Sequence, residues 1–460
     1  MSTRQDAGER PPIESRDELV GWIAAGEKPK GAWVIGTEHE KIVFNRETLR
    51  PVPYEGDAGI AALMRGLMAC CGWEPIVEAG NMIALKRAFG EPGATVSLEP
   101  GGQFELSGAT LASVHETSAE TAEHLRQCHR AAGPLGIGFA GLGFAPTWTL
   151  ADIPMMPKQR YGIMTAYMPK VGSRGLDMMY RTATIQVNLD FASEADMVRK
   201  LRVGLALQPV ATALFASSPF AEGKLNGFKS MRSEIWRHTD ANRTGMLPFA
   251  FEAGMGYERF VDYALDVPMY FVYRDGRYID AAGASFRDFM AGRLAAMPGE
   301  RPTIDDWSDH LTTLFPEVRL KRFLEMRGAD SGRAEMISAL PAFWVGLLYD
   351  TAALDEATAL IADWTEQERQ DLRDRVPRLA LATPFRGGTL ADVARHVVAI
   401  AQRGLAARGV LNARGEDERV YLEPVVEIAD SGRTVADHLI EAFNGPWGGR
   451  VEPVFAATAL

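Results

Sequence analysis

Apolar residues recur with the 3.6-residue period of an amphipathic helix over residues 59–72, 113–132, 194–216, 355–362 and 390–407. Residues 32–45, 95–106, 182–191 and 319–327 instead alternate apolar with polar, as half-buried strands do. Helices and strands are interspersed without strict strand–helix alternation. The expectation is therefore α+β, an antiparallel sheet with helices packed on one face. No internal repeat, low-complexity block or long Gly/Ser linker breaks the chain. A loose N-terminal head over residues 1–14 followed by one continuous domain over residues 15–460 is expected.

The polar faces of these strands carry the chemistry. Side chains alternate across a strand, so Glu38 and Glu40 share a face with Val34, Ile42 and Phe44. Two like charges ~6–7 Å apart repel by roughly 2–3 kcal/mol at an effective dielectric near 20, and desolvation adds to that cost. A cation between them relieves both; a solvent-facing edge strand is the plainer alternative. The second strand region puts Gln103 and Glu105 on one face, with Glu99 before a Pro-Gly-Gly bend that re-aims the chain. In the third, Ile185, Val187, Leu189 and Phe191 face one way and Thr184, Gln186, Asn188 and Asp190 the other. The fourth projects Glu325 and Arg327 together. Four strands with oxygen-rich faces predict a polar basin above the sheet, and such oxygens suit hard cations such as Mg²⁺ or Mn²⁺. Arg232, Arg237 and Arg243, spaced through Gly, Ser, Asn and Thr, form the basic counterpart. Their planar forks match carboxylate or phosphate, although arginines on a solvated loop are equally common.

Net charge is −11 over 460 residues, which argues against a broad nucleic-acid surface. No run approaches the ~18–20 apolar residues of a membrane helix. Residues 1–14 are polar and of mixed charge, unlike a signal or transit peptide, so the expectation is a cytoplasmic protein. Cys70, Cys71 and Cys128 make no disulfide framework and no Cys-x-x-Cys pair. Cys70 and Cys71 read as packing residues, and a reducing compartment fits. His124, Cys128 and His129 share a helix without zinc spacing. Gly136-Ile-Gly-Phe-Ala-Gly141 spells a dinucleotide fingerprint, but it continues as strand and turn where a helix is required. It reads as a glycine-rich strand packed close to its neighbours. There is no Walker A loop and no Gly-x-Ser-x-Gly elbow.

Seven segments in order carry a family resemblance. They are Ile35-Gly-Thr-Glu-His-Glu-Lys41, Ser97-Leu-Glu-Pro-Gly-Gly-Gln-Phe-Glu-Leu-Ser107, Arg181-Thr-Ala-Thr-Ile-Gln-Val-Asn-Leu-Asp190, Ser230-Met-Arg-Ser233, Asp262-Tyr-Ala-Leu-Asp-Val-Pro-Met-Tyr270, Phe315-Pro-Glu-Val-Arg-Leu-Lys-Arg322 and Leu324-Glu-Met-Arg-Gly-Ala-Asp330. Together they resemble the plant and proteobacterial type of glutamate–cysteine ligase. The resemblance runs from about residue 33 to residue 350 and implies a glutamine-synthetase-like catalytic fold. It implies that ATP phosphorylates the γ-carboxylate of glutamate and that the amine of cysteine displaces the phosphate, the first step of glutathione biosynthesis. Small-molecule substrates, no nucleic acid, no membrane and a monomer or weak homodimer follow as expectations. By the same resemblance Glu38, Glu40, Glu99, Glu105 and Glu325 would hold Mg²⁺ (or Mn²⁺). Gln186 and Asn188 would orient substrate, and Gln103 would act toward the nucleotide. Arg327 and Arg181 would neutralise the transferred phosphoryl group, Arg327 also meeting ATP, with Arg232 and Arg243 toward glutamate. The family's regulatory cysteines align with Ala281 and Ala296, so a thiol switch of that design is not expected. A glutamate ligase with another amine acceptor, a metal-dependent phosphohydrolase and a non-catalytic metal-binding scaffold are the alternatives.

Overall fold

The alternating segment 32–45 becomes the longest strand of a nine-stranded sheet, β1 (Ile35–Asn45). The others are β2 (Trp73–Glu78), β3 (Asn81–Arg87), β4 (Thr95–Leu98), β5 (Phe104–Leu111), β6 (Ile137–Ala140), β7 (Thr184–Leu189), β8 (Val318–Leu320) and β9 (Leu324–Asp330). Their order is β8-β9-β7-β1-β5-β4-β3-β2, and β6 pairs with the far end of β1. Among the described residues every pairing in this sheet is antiparallel. This computed structural model describes residues 11–87 and 93–460. The mixed α+β, antiparallel expectation is met.

One face of the sheet is core. Ile35, Ile185, Val187 and Leu189 are buried against the helices Glu194–Leu214 and Ala334–Leu348, with the helix Val114–Ala132 beside them. Ala334–Leu348 is apolar all round and almost wholly buried, so it has no 3.6-residue stripe to read. Burying each such side chain contributes about 1.5–3 kcal/mol, an upper range for a chain that is already partly collapsed when unfolded. The opposite face is walled by the helices Gln159–Val171, Gly175–Arg181 and Met231–Arg237, supplied by the connections that flank β7. This leaves the polar positions of β1, β5, β7 and β9 facing a recess.

Three details correct the sequence reading. Pro12 forms a bridge with Thr303, and Ile13 is buried with its N–H on the Pro302 carbonyl, 2.7 Å away. Residues 11–14 are therefore tied down, while the rest of the expected head lies outside the described residues. Cys70 and Cys71, taken as packing thiols, are joined by a disulfide at the end of the helix Ile60–Cys71. A spacing rule that looks for separated cysteines passes over such a pair. The predicted strand 95–106 is two strands, split by the Pro-Gly-Gly bend. Gly102 sits there at φ +85°, where a side chain would be strained. The glycine fingerprint does form strand β6: a Cβ on Gly138 would meet the Phe44 ring at 2.6 Å, as close packing demands.

Candidate active site

The recess encloses about 680 Å³, space open to solvent included. Four carboxylates, Glu38, Glu40, Glu99 and Glu105, and three guanidinium groups, Arg232, Arg319 and Arg327, line it. Gln103 and Gln186 add carboxamides, and Met164, Met178, Met179, Trp236 and Phe315 form apolar walls.

At one end Glu40, Glu99 and Glu105 bring carboxylate oxygens within 4.8 Å of one another, all buried. Register explains the meeting: Glu40 on β1 lies directly opposite Glu105 on β5. The bend after β4 turns Glu99 onto the same face, its N–H bonded to the Gln103 carbonyl at 3.0 Å. Burial, then the charge of Glu105, pushes Glu99 up to about 8. Burial, then the charges of Glu99 and Glu105, push Glu40 up as well. Glu40 accepts the Thr184 N–H at 3.0 Å, and Glu105 accepts the Ser107 hydroxyl at 2.8 Å. Glu99 Oε1 is buried without a hydrogen-bond partner among the described residues.

The other end is cationic. Glu325, expected as a metal ligand, is fully buried and gripped by Arg319 in a fork at 2.8 Å. Lys321 (3.5 Å) and Arg327 close the ring. Burial opposes its ionisation, yet Arg319, Arg327 and Lys321 hold it well below the usual carboxylate range. Glu325 thus anchors cations, and no oxygen of it joins the three-carboxylate group. Arg327 donates to Gln186 Oε1 at 2.5 Å. Arg232 donates to the Arg327 carbonyl at 2.7 Å, beside the Trp236 ring. Glu38 also stands apart from the three acids and accepts the Asn188 amide at 3.0 Å. Gln103 donates to the Thr182 carbonyl at 2.7 Å.

Two expected arginines do not reach the recess. Arg181 is bound by Asp177, by Glu222 at 2.9 Å and by the Trp148 carbonyl at 2.9 Å. Arg243 is fully buried on Asp240 (2.7 Å), Thr313 and Pro268, over the Tyr270 ring. Their forks are occupied by structural anions and carbonyls, so neither lines the cavity. Arg243→Lys is expected to lower stability by about 3 kcal/mol, since an ammonium cannot reproduce the buried fork. Glutamate and ATP dependence should stay within about twofold; thermal melts with steady-state kinetics check both.

Several lining residues carry no sequence signal that singles them out: Arg319, Trp236 and the three methionines, whereas Thr184 lines the recess from the polar face expected of its strand. Tyr161 had a signal in the run Met156-Pro-Lys-Gln-Arg-Tyr161, where basic residues flank an aromatic. Lys158 and Arg160 of that run are buried next to Glu99.

A model of glutamate–cysteine ligase family 2 matches residues 34–457. The chain belongs to this family. The glutamate–cysteine ligase of Nicotiana tabacum is 56% identical over 441 residues, covering 96% of this chain and 82% of that protein. That of Arabidopsis thaliana is 55% identical over the same shares. Among solved structures, the Francisella tularensis glutamate–cysteine ligase in complex with AMP aligns with a TM-score of 0.52 at 11% identity. It covers 93% of this chain and 87% of that one, a likeness of fold. Membership of the glutamate–cysteine ligase family favours the ligase over the hydrolase and scaffold alternatives. It also overturns the cytoplasmic expectation: the tobacco, tomato, Arabidopsis and rice relatives are all named chloroplastic. The polar, mixed-charge character of residues 1–14 does not encode the compartment.

Proposed function

We propose that Glu40, Glu99 and Glu105 hold a Mg²⁺ ion in an enzyme that joins the γ-carboxylate of glutamate to the amine of cysteine with ATP. The activity follows from the family and the 55–56% identical relatives; the assignment of roles is ours. The observation that carries it is one recess that holds three buried acids, their oxygens within 4.8 Å of one another, together with Arg232, Arg319 and Arg327. The orphaned Glu99 oxygen beside two further carboxylates is an environment that an oxygen-seeking cation satisfies. When bound, the cation neutralises phosphate charge and orients the nucleotide.

The chemical need is activation. A free carboxylate would have to expel oxide, whereas an acyl phosphate expels phosphate. Arg327, braced by Gln186 and Glu325, meets the charge developing on the transferred phosphoryl group. Arg232, beside it, forks a carboxylate of glutamate. The cysteine amine then attacks the γ-carbonyl, forming the C–N bond as phosphate leaves.

The test uses glutamate labelled with ¹⁸O in its γ-carboxylate, with ATP, Mg²⁺ and cysteine. The reading predicts γ-glutamylcysteine and one ¹⁸O in each phosphate released. Phosphate free of label would overturn the acyl-phosphate step, and a faster reaction with another amine would change the acceptor.

A further inference from the structure

Arg232 is held from behind by a buried carboxylate that does not line the recess. Asp330, at the end of β9, is 1% exposed and uses both oxygens. Oδ1 accepts the Ser230 hydroxyl at 2.7 Å. Oδ2 accepts the Ser218 hydroxyl at 2.6 Å and the Ser217 N–H at 3.0 Å. Both hydroxyls then turn to the short helix Met231–Arg237. Ser230 caps it, accepting the Ser233 N–H at 3.1 Å, and Ser218 accepts the Arg232 N–H itself at 3.3 Å. Gly143 packs directly on Asp330: a Cβ there would lie 2.3 Å from its carboxyl carbon.

The same strand grips Arg232 a second time, through the Arg327 carbonyl on its guanidinium. Two residues separate Arg327 from Asp330, so β9 fixes both the backbone and the tip of Arg232. Asp330 is also a negative charge supporting the buried guanidinium, along with Glu40.

We propose that Asp330 is a positioning residue that sets where the Arg232 fork stands in the recess, through Ser218 and Ser230, without touching substrate. The proposal rests on the reading of Arg232 as a substrate-binding group. A displacement of about 1 Å in such a group costs up to about a hundredfold. Asp330→Asn preserves shape but removes the charge and places an amide donor against hydroxyl donors, which must rotate.

The experiment compares Asp330→Asn, Arg232→Lys and the double variant by KM for glutamate and for ATP, with thermal melts to confirm folding. Arg232→Lys alone tests the reading: it should raise KM for glutamate by about tenfold and KM for ATP by less than about twofold. Asp330→Asn should raise the same KM as Arg232→Lys by about fivefold or more, and should add nothing in the Arg232→Lys background. Unchanged KM values in folded Asp330→Asn, a shift in the other substrate, or multiplication of the two effects would overturn the proposal. Should Asp330→Asn fail to fold, Ser230→Ala removes one hydroxyl alone. It should raise the same KM by about twofold or more, and an unchanged KM would overturn the proposal equally.

Discussion

Glu99→Gln is expected to cut turnover on the order of a thousandfold while leaving the metal-free protein folded. Glutamine keeps the shape of the side chain and removes the charge that the cation requires. Glu99 is pushed up to about 8 from 4.5 by burial and then by Glu105, so the folded, metal-free chain keeps a proton there near neutrality. The sign follows from proton counting. Between pH 4.5 and about 8 the folded state binds a proton that the unfolded chain has lost, so stability falls as pH rises through that window. The slope from one proton is at most about 1.4 kcal/mol per pH unit. Glu99→Gln removes this contribution. In chelator, its melting temperature should fall less steeply from pH 5 to 8 than that of the unmodified chain. Parallel curves, or turnover within about tenfold of normal, would contradict the role given to Glu99.

Arg327→Lys should lower kcat by about a hundredfold, with KM for ATP and for glutamate within about threefold. The reason is geometric. The Arg327 guanidinium is held by Gln186 and by Glu325, itself locked by Arg319 and Lys321, so its fork is preorganised toward the recess. An ammonium offers a point charge that cannot bridge Gln186, Glu325 and a phosphoryl oxygen together. Steady-state kinetics with each substrate saturating decide it. A loss expressed wholly in KM for glutamate would move Arg327 to ground-state binding.

The lining of the recess was largely legible because β1, β5 and β7 separate core from basin, and a period of two records that separation directly. Glu38, Glu40, Glu105 and Gln186 line the cavity on that account, Asn188 hydrogen-bonds Glu38 at its edge, and Glu99 lines it because the Pro-Gly-Gly bend was visible. Alternation assigns a face but not a cross-strand neighbour. Glu325 faces the right way, yet the β8–β9 pairing sets Arg319 opposite it and converts a candidate ligand into an ion-pair hub. Two partners of Arg243, the Thr313 and Pro268 carbonyls, are 70 and 25 residues distant in sequence and left no local trace, whereas Asp240, three residues before it, was readable. Asp177, one turn before Arg181, was a readable warning. The helix Ala334–Leu348 escaped for the opposite reason, being apolar on every side.

The most direct test of this site is Mn²⁺ binding followed by electron paramagnetic resonance, with and without ATP. Glu40→Gln, Glu99→Gln and Glu105→Gln should each weaken Mn²⁺ binding at least about tenfold. Glu325→Gln, compared while folded, should leave it within about threefold. Undiminished binding in the first three variants, or a loss confined to Glu325→Gln, would contradict the assignment of the metal to the three-carboxylate end of the recess.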